Sequence, residues 1–514
     1  MQPIRLVSGF LTVGVWTLAS RILGFARDIL IAAYLGTGPV AEAFLVAFSL
    51  PNMFRRFFAE GAFNMAFVPL FSKKLERDEG ALDFARDAFT GLATVLIGFT
   101  LLAQLAMPVL VLAMAGGFAA DERFDIAVVY GRIAFPYILF ISLAALLSGV
   151  LNATGRFVAA AAAPVLLNVL LVGAMLLAAT MGWPVGDALV WTVPLAGIAQ
   201  MALVWTAAAK AGFRLTLRRP RLTPELRRLA IIAAPAALAG GVVQVNLLIG
   251  RQVASFFEGA VAWLSYADRL YQLPLGVVGI AIGVVLLPDL SRRLGAGDTA
   301  GGRDAFNRAG EFALALTVPA AVALATIPGP IVGVLFRRGA FDQADVAATA
   351  LAVAVYGAGL PAFVIQKVLQ PLFFAREDTR RPFYYALGAL AVNAGVAIGL
   401  APVFGYIAAA WGTTLAGWAM VALLWYGSRR YGAAAEIDAR LRRRAGRIVL
   451  ASGLMGALLW GAARAAQPWL AEGGLRYPAL AGLVALGIVS YFGLGHALGA
   501  FRLSEFRRAM RRQR

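Results

Sequence analysis

The stretch Tyr130-Gly-Arg-Ile-Ala-Phe-Pro136, continuing as Tyr137-Ile-Leu-Phe-Ile-Ser-Leu-Ala-Ala-Leu-Leu-Ser-Gly-Val-Leu151, carries no charge between Arg132 and Arg156. An apolar run of about 20 residues crosses the hydrocarbon of a bilayer as a helix, because a helix satisfies its own backbone hydrogen bonds there. Working outward from this run, the same pattern predicts fourteen spans, near residues 6–33, 41–71, 84–114, 124–151, 157–180, 187–209, 229–256, 260–291, 304–327, 344–370, 382–401, 404–428, 446–465 and 476–498. Composition agrees. Of 514 residues, 61% are apolar and 14% charged, against about 45–50% and 25% in soluble globular chains. The net charge is +19, yet too few polar residues remain to build the solvated basic face that nucleic acid requires, and no nucleic-acid partner is expected. With no Cys and one His, His496, thiolate metal sites, disulfides and histidine relays are excluded, and no cofactor or metal is expected. No G-x-x-x-x-G-K-[ST] loop exists to cradle a nucleotide, so any transport must draw on a gradient or the membrane potential.

The cations orient the spans. Even-numbered connections, the start and the tail hold 33 Lys and Arg; odd-numbered connections hold only Arg123, Arg337, Arg338 and Arg476. By the positive-inside rule both termini are cytoplasmic. The opening stretch also repeats: Tyr130, Pro136, Thr154, Arg156 and Asn168 find Tyr356, Pro361, Thr379, Arg381 and Asn393, the last four of them 225 positions on. Leu50-Pro51 to Ser72-Lys73-Lys74-Leu75 parallels Leu273-Pro274 to Ser291-Arg292-Arg293-Leu294. Paired segments share one membrane orientation, which predicts a parallel repeat of two six-helix lobes. The expected domains are an N-lobe at 1–210, a basic linker at 211–228, a C-lobe at 229–428, a second basic linker at 429–445, and two appended helices with a basic tail at 446–514.

A charge near the bilayer centre costs about 2.5–3.5 kcal/mol on insertion scales, so it faces a partner or water. Such charges gather in three spans: Arg21, Arg27 and Asp28 in the first, Glu42, Arg55, Arg56 and Glu60 in the second, Asp268 and Arg269 in the eighth. Adjacent or i,i+4 partners (Arg27 with Asp28, Arg56 with Glu60, Arg269 with Asp268) are positioned for structural ion pairs. All five cations are Arg, although the chain also uses Lys, and the guanidinium fork suits bidentate contact with phosphate or carboxylate. Five arginines converging on one cavity predict an anionic, phosphorylated substrate; gating ion pairs are the competing role.

The residues Ala19-Ser-Arg21-Ile-Leu-Gly-Phe-Ala-Arg27-Asp28, Glu42-Ala-Phe-Leu-Val-Ala-Phe-Ser-Leu-Pro-Asn52, Arg55-Arg-Phe-Phe-Ala-Glu60-Gly-Ala-Phe63 and Tyr266-Ala-Asp268-Arg269-Leu270 resemble the MurJ (MviN) family. The likeness runs along essentially the whole chain. It implies a flippase for lipid II, the undecaprenyl-diphosphate-linked peptidoglycan precursor, with the fold of the multidrug/oligosaccharidyl-lipid/polysaccharide exporters. That fold sets two lobes in a V around a cationic cavity, with the two extra helices forming a groove for the lipid tail. The family's functional positions fall on Ser20, Arg21, Arg27, Asp28, Glu42, Arg55, Arg56, Glu60 and Arg269. Glu42 stands where other members can carry Asp. Some members bind sodium through carboxylates of helices 7 and 11; here those helices read Asn246-Leu-Leu-Ile-Gly250-Arg251 and Asn393 with Ala397, without an interior Asp or Glu, so no such site is expected.

Arg21, Arg27, Arg55, Arg56 and Arg269 are thus expected to bind the diphosphate, and Ser20, Asp28, Glu42, Glu60 and Asp268 to line or gate the cavity. Glu42 is expected to close an outer gate against the arginines, and Gly24, Pro51 and Pro274 to act as hinges. The expected setting is the bacterial inner membrane. Membrane lipids, and cell-wall synthesis proteins as further partners, would surround a monomer. An exporter of another polyprenyl-diphosphate glycan or of drugs is the nearest alternative. A membrane glycosyltransferase is the alternative from another class, and the short outer connections leave little room for its catalytic site.

Overall fold

The computed structural model describes residues 6–56, 62–471 and 473–501, and every regular element among them is a helix. In chain order these are α1 (Leu6–Leu35), α2 (Pro39–Arg55), α3 (Ala62–Glu76), α4 (Ala81–Met114), α5 (Glu122–Ala134), α6 (Tyr137–Ala153), α7 (Val158–Met181), α8 (Val185–Lys210) and α9 (Pro224–Ala254). They continue as α10 (Ala260–Gly295), α11 (Thr299–Thr326), α12 (Pro328–Phe336), α13 (Gln343–Phe374), α14 (Arg380–Phe404), α15 (Ile407–Ser428), α16 (Ala439–Ala465), α17 (Gln467–Ala471) and α18 (Arg476–Ala497). Ten segments among the described residues are long and apolar enough to cross a membrane. The chain is therefore an all-helical, multi-pass membrane protein. Side chains such as Leu105, Val109, Leu102 and Val489 stand exposed along these helices, as lipid-facing positions must where the solvent is itself apolar.

The run from Tyr130 to Leu151, uncharged beyond Arg132, forms the end of α5 and most of α6, broken at Phe135–Pro136. Proline brings no N–H and crowds the preceding turn, so the helix restarts there. Tyr137, Ile138, Leu146, Leu147 and Val150 of this run are fully buried. Polar caps set several helix starts outside the apolar runs: the side chains of Asp121, Thr223, Asp298 and Asp438 accept backbone N–H groups at the starts of α5, α9, α11 and α16. Asp342 and Asp345 form a reciprocal capping box on α13.

The helices fall into two compact units. The first comprises residues 1–262 and 338–341, the second 263–337 and 342–514. The edge at Ala262 lies one helix beyond the basic linker that separates the two halves of the sequence repeat. In the first unit α1 packs on α7, α2 on α5, α6 on α8, and α9 on α3 and α4. In the second, α11 and α15 flank α13, α14 lies on α15, and α16 joins α11 to α18. The second unit has one core around Leu290, Phe306, Val364, Leu372 and Leu424 and another around Ile448, Met455, Leu459, Tyr491 and Phe501.

Candidate functional site

In the first unit, three of the expected site residues meet on α1. Ser20 and Arg27 contact α7, Asp28 is buried beside Arg27, and Arg21 is exposed on the same helix. Arg27 is only 8% exposed. Its Nε and Nη2 donate to Asp28 Oδ1 at 2.9 and 2.7 Å, and its Nη1 donates to Asn168 Oδ1 at 3.0 Å. The guanidinium carbon also lies 5.6 Å from the centroid of the Phe48 ring on α2. Asn168 Nδ2 in turn donates to the Ser20 carbonyl at 3.0 Å and to the Pro164 carbonyl at 3.3 Å. Gly24 lies beside this amide, where a Cβ would stand in ordinary contact, 3.5 Å from Asn168 Nδ2. These bonds occupy three of Arg27's five N–H groups and leave one proton on each terminal nitrogen.

Glu42 occupies a separate cluster. Its side chain is fully buried near the start of α2; Oε2 accepts Arg123 Nη1 at 2.8 Å, and Oε1 accepts the Val261 backbone N–H at 2.9 Å. Arg123 is itself buried, bonded to Asp121 at 2.6 Å, with its guanidinium 4.4 Å from the Phe118 ring centroid. The expected partner of Glu42 was one of the five membrane arginines; among the described residues its carboxylate pairs instead with this arginine from a connection. The Arg123 hydrogen bond holds the Asp121 carboxyl below its usual range.

The neighbouring contacts join connections that the sequence reads as cation-poor to the adjoining helix ends. Gly116 and Gly117 donate their N–H groups to Gln252 Oε1 and Ser255 Oγ, each at 2.9 Å. Ala340 N–H donates to the Ala33 carbonyl at 2.8 Å. Close approach explains the glycines: a Cβ on Gly117 would lie 2.4 Å from the Ser255–Phe256 backbone, and one on Gly339, at φ +57°, would lie 2.1 Å from the Ala33 oxygen.

Arg55 is half-buried at the end of α2, and Arg56 is exposed and donates to Gln244 Oε1 of α9 at 3.4 Å. Glu60 lies outside the described residues, and with it the expected pair to Arg56. In the second unit Asp268 accepts Gln272 Nε2 one turn along α10, while Arg269 is exposed. No group of three or more His, Cys, Asp or Glu able to hold a metal occurs among the described residues.

Reading charges only inside spans missed two residues. Asn168 was visible as half of a repeated pair with Asn393, but nothing local shows that it meets Arg27. Arg123 was visible as a solitary cation between Asp121 and Asp125, and its burial against Glu42 is a tertiary fact.

A third cluster, in the second unit, fastens the appended helices. Glu311 of α11 receives Arg308 at 2.6 Å, Arg440 at 3.0 Å and Arg444 at 3.1 Å, and Asn307 bridges the Glu436 carbonyl and the Asp438 N–H. Glu311→Leu should loosen α16 from α11 at a cost of about 2–3 kcal/mol, the worth of charged hydrogen bonds. Faster proteolysis of the 429–438 segment would report it, and an unchanged digestion rate would contradict it.

The fold defines a multi-pass helical membrane protein with buried polar clusters and with no group of metal ligands among the described residues. The family model described as "Lipid II flippase MurJ" matches residues 31–475. Curated relatives named "Probable lipid II flippase MurJ" include one from Rhizobium tropici, 44% identical over 99% of this chain and 98% of its own, and one from Rhizobium meliloti, 45% identical over 99% and 97%. A solved lipid II flippase MurJ in an inward closed conformation is similar with a TM-score of 0.79 at 23% identity, over 95% of this chain and 98% of its own. An inward-facing MATE family transporter of the MOP superfamily is similar with a TM-score of 0.64 at 15% identity, over 81% and 95%. The chain belongs to the MurJ lipid II flippase family.

Proposed function

We propose that this chain moves lipid II from the cytoplasmic to the periplasmic leaflet of the inner membrane by alternating access. Membership of the family, over nearly the whole length, carries the activity. One observation carries the headgroup chemistry: Arg27 is held almost fully buried on α1 with a donor proton left on each terminal nitrogen. A low-dielectric setting strengthens such a donor toward a diphosphate oxygen. Arg21, Arg55, Arg56 and Arg269 supply further guanidinium contacts, while Ser20, Asp28, Glu42, Glu60 and Asp268 set cavity shape and gating.

The ten apolar segments together with α1, the α2–α3 pair, α9 and α10 make fourteen spans, arranged as two six-helix lobes with α16 and α18 appended. The domain limits are those of the sequence repeat, at 1–210 and 229–428, with basic linkers at 211–228 and 429–445. Both termini are cytoplasmic, as the 33-to-4 partition of cations supports. The Glu42–Arg123 pair then belongs to the periplasmic end, where it and the Gly116, Gly117 and Ala340 contacts hold the outer side shut. The protein works as a monomer, in contact with membrane lipids and with cell-wall synthesis proteins.

The test is reconstitution with fluorescent lipid II. Purified protein should raise the fraction of label reached by a membrane-impermeant reductant well above that in empty vesicles, with the lipid recovered unaltered. No rise with correctly inserted protein would overturn the flippase reading, and a chemically changed lipid would indicate an enzyme.

A further inference from the structure

Asn168 is buried on α7, and its amide has one orientation that satisfies every neighbour. With Oδ1 toward Arg27 Nη1, Nδ2 meets two acceptors, the carbonyls of Ser20 and Pro164. Turned over, the amide would set its donor against a guanidinium donor and its oxygen against two carbonyl oxygens. The two carbonyls therefore fix the amide, and the amide fixes one side of the guanidinium. Asp28 fixes the other side through Nε and Nη2. The Ser20 carbonyl belongs to the turn that closes on Gly24, beside which the amide lies.

We propose that Asn168 is a positioning residue for the translocated anion: it aims Arg27, together with Asp28, so that the remaining proton on each terminal nitrogen faces a phosphate oxygen. The role rests on the proposal that Arg27 meets the diphosphate. Without Asn168 the guanidinium would keep its charge and its Asp28 contact but lose the bond that stops the planar fork pivoting about Asp28 Oδ1. An anion would then pay for that ordering on binding. Asn393, the repeat counterpart, is buried where a Cβ on Gly412 of α15 would come within 2.6 Å of its side-chain oxygen.

The experiment is a double-mutant cycle on lipid II affinity, measured by titration of the full-length protein in nanodiscs. Arg27→Lys keeps the charge and removes the planar fork; Asn168→Leu keeps the volume and removes the amide. Each single change should weaken binding about tenfold, and the double change should weaken it hardly more than either alone, because both remove one device. Full additivity, or an Asn168→Leu protein that binds as the parent does, would overturn the positioning role. If Arg27→Lys itself leaves affinity unchanged, the diphosphate contact at Arg27 fails, and the positioning role falls with it. Asn168→Ser is the second variant. Its hydroxyl can bond the Pro164 carbonyl one turn back, as Ser148 and Thr94 do to Ala144 and Thr90, but it cannot reach Arg27. If the leucine variant does not insert, the serine variant decides the cycle by the same criterion. Lipid II flipping should follow with KM raised about tenfold and kcat within about threefold. A fall confined to kcat, with KM unmoved, would contradict a role in anion binding.

Discussion

Arg123→Leu should destabilise the protein by about 3–5 kcal/mol, the cost of leaving a buried carboxylate without its cation. Glu42 is wholly buried, and Arg123 provides both its countercharge and its shortest hydrogen bond, at 2.8 Å. The Val261 N–H would remain on the other oxygen, but one neutral donor does not balance a charge. The compensated pair Glu42→Leu with Arg123→Leu should recover most of the loss, since well-packed apolar residues replace buried ion pairs at little net cost. Thermal denaturation of the purified protein checks both, and equal melting of Arg123→Leu and the parent would contradict the first. The recovered double variant carries the functional question. If the pair holds the outer end shut, single cysteines placed at the exposed Val40 and Phe256 of this naturally Cys-free chain should become more reactive to a membrane-impermeant maleimide. The Asp121–Arg123 contact should persist to low pH. The Asp121 carboxyl lies below its usual range because Arg123 bonds it. Its contribution is complete above the ordinary Asp pKa of about 3.9 and is lost only as pH falls through the lowered value.

Arg27→Leu should lower lipid II flipping about 100-fold per folded, inserted molecule, a normalisation required because the change also takes this cation from the buried Asp28. Two charge-assisted hydrogen bonds to a phosphate oxygen are worth roughly 3 kcal/mol together, taking the low end of the range, and 1.4 kcal/mol is a factor of ten. The reconstituted assay measures it directly, with melting and membrane insertion as controls. Retained flipping in well-inserted Arg27→Leu protein would remove Arg27 from the transport path. Arg21→Leu provides a contrast, because its side chain is exposed on the same helix; a loss there much greater than at Arg27 would reverse the assignment between the two.

Much of this was legible in the residues themselves. The long uncharged runs dictate membrane helices because backbone polar groups have no other partners in hydrocarbon, and the structure carries them as α4 through α8 and α11 through α18, with α12 and α17 as short connecting helices. The Arg27–Asp28 contact was legible too, since neighbours in sequence need no tertiary fold to meet. Other pairings were not. Glu42 and Arg123 are separated by 81 positions, and Arg27 and Asn168 by 141. No periodicity or charge count brings such positions together, because which face of α2 packs on α5, and which face of α1 on α7, depends on side-chain fit across the whole unit.

The sequence by itself determined that this chain lies in the membrane, which family it belongs to and which charges need a reason to be there. Insertion depends on local hydrophobicity, and a buried charge is conspicuous wherever it occurs. Only the tertiary structure decided what those charges do for one another. Partnership in a low-dielectric interior is set by distances of about 3 Å, and only packing brings a carboxylate, an amide and a guanidinium that close. Packing made Glu42 the partner of Arg123 and gave Arg27 an asparagine acceptor.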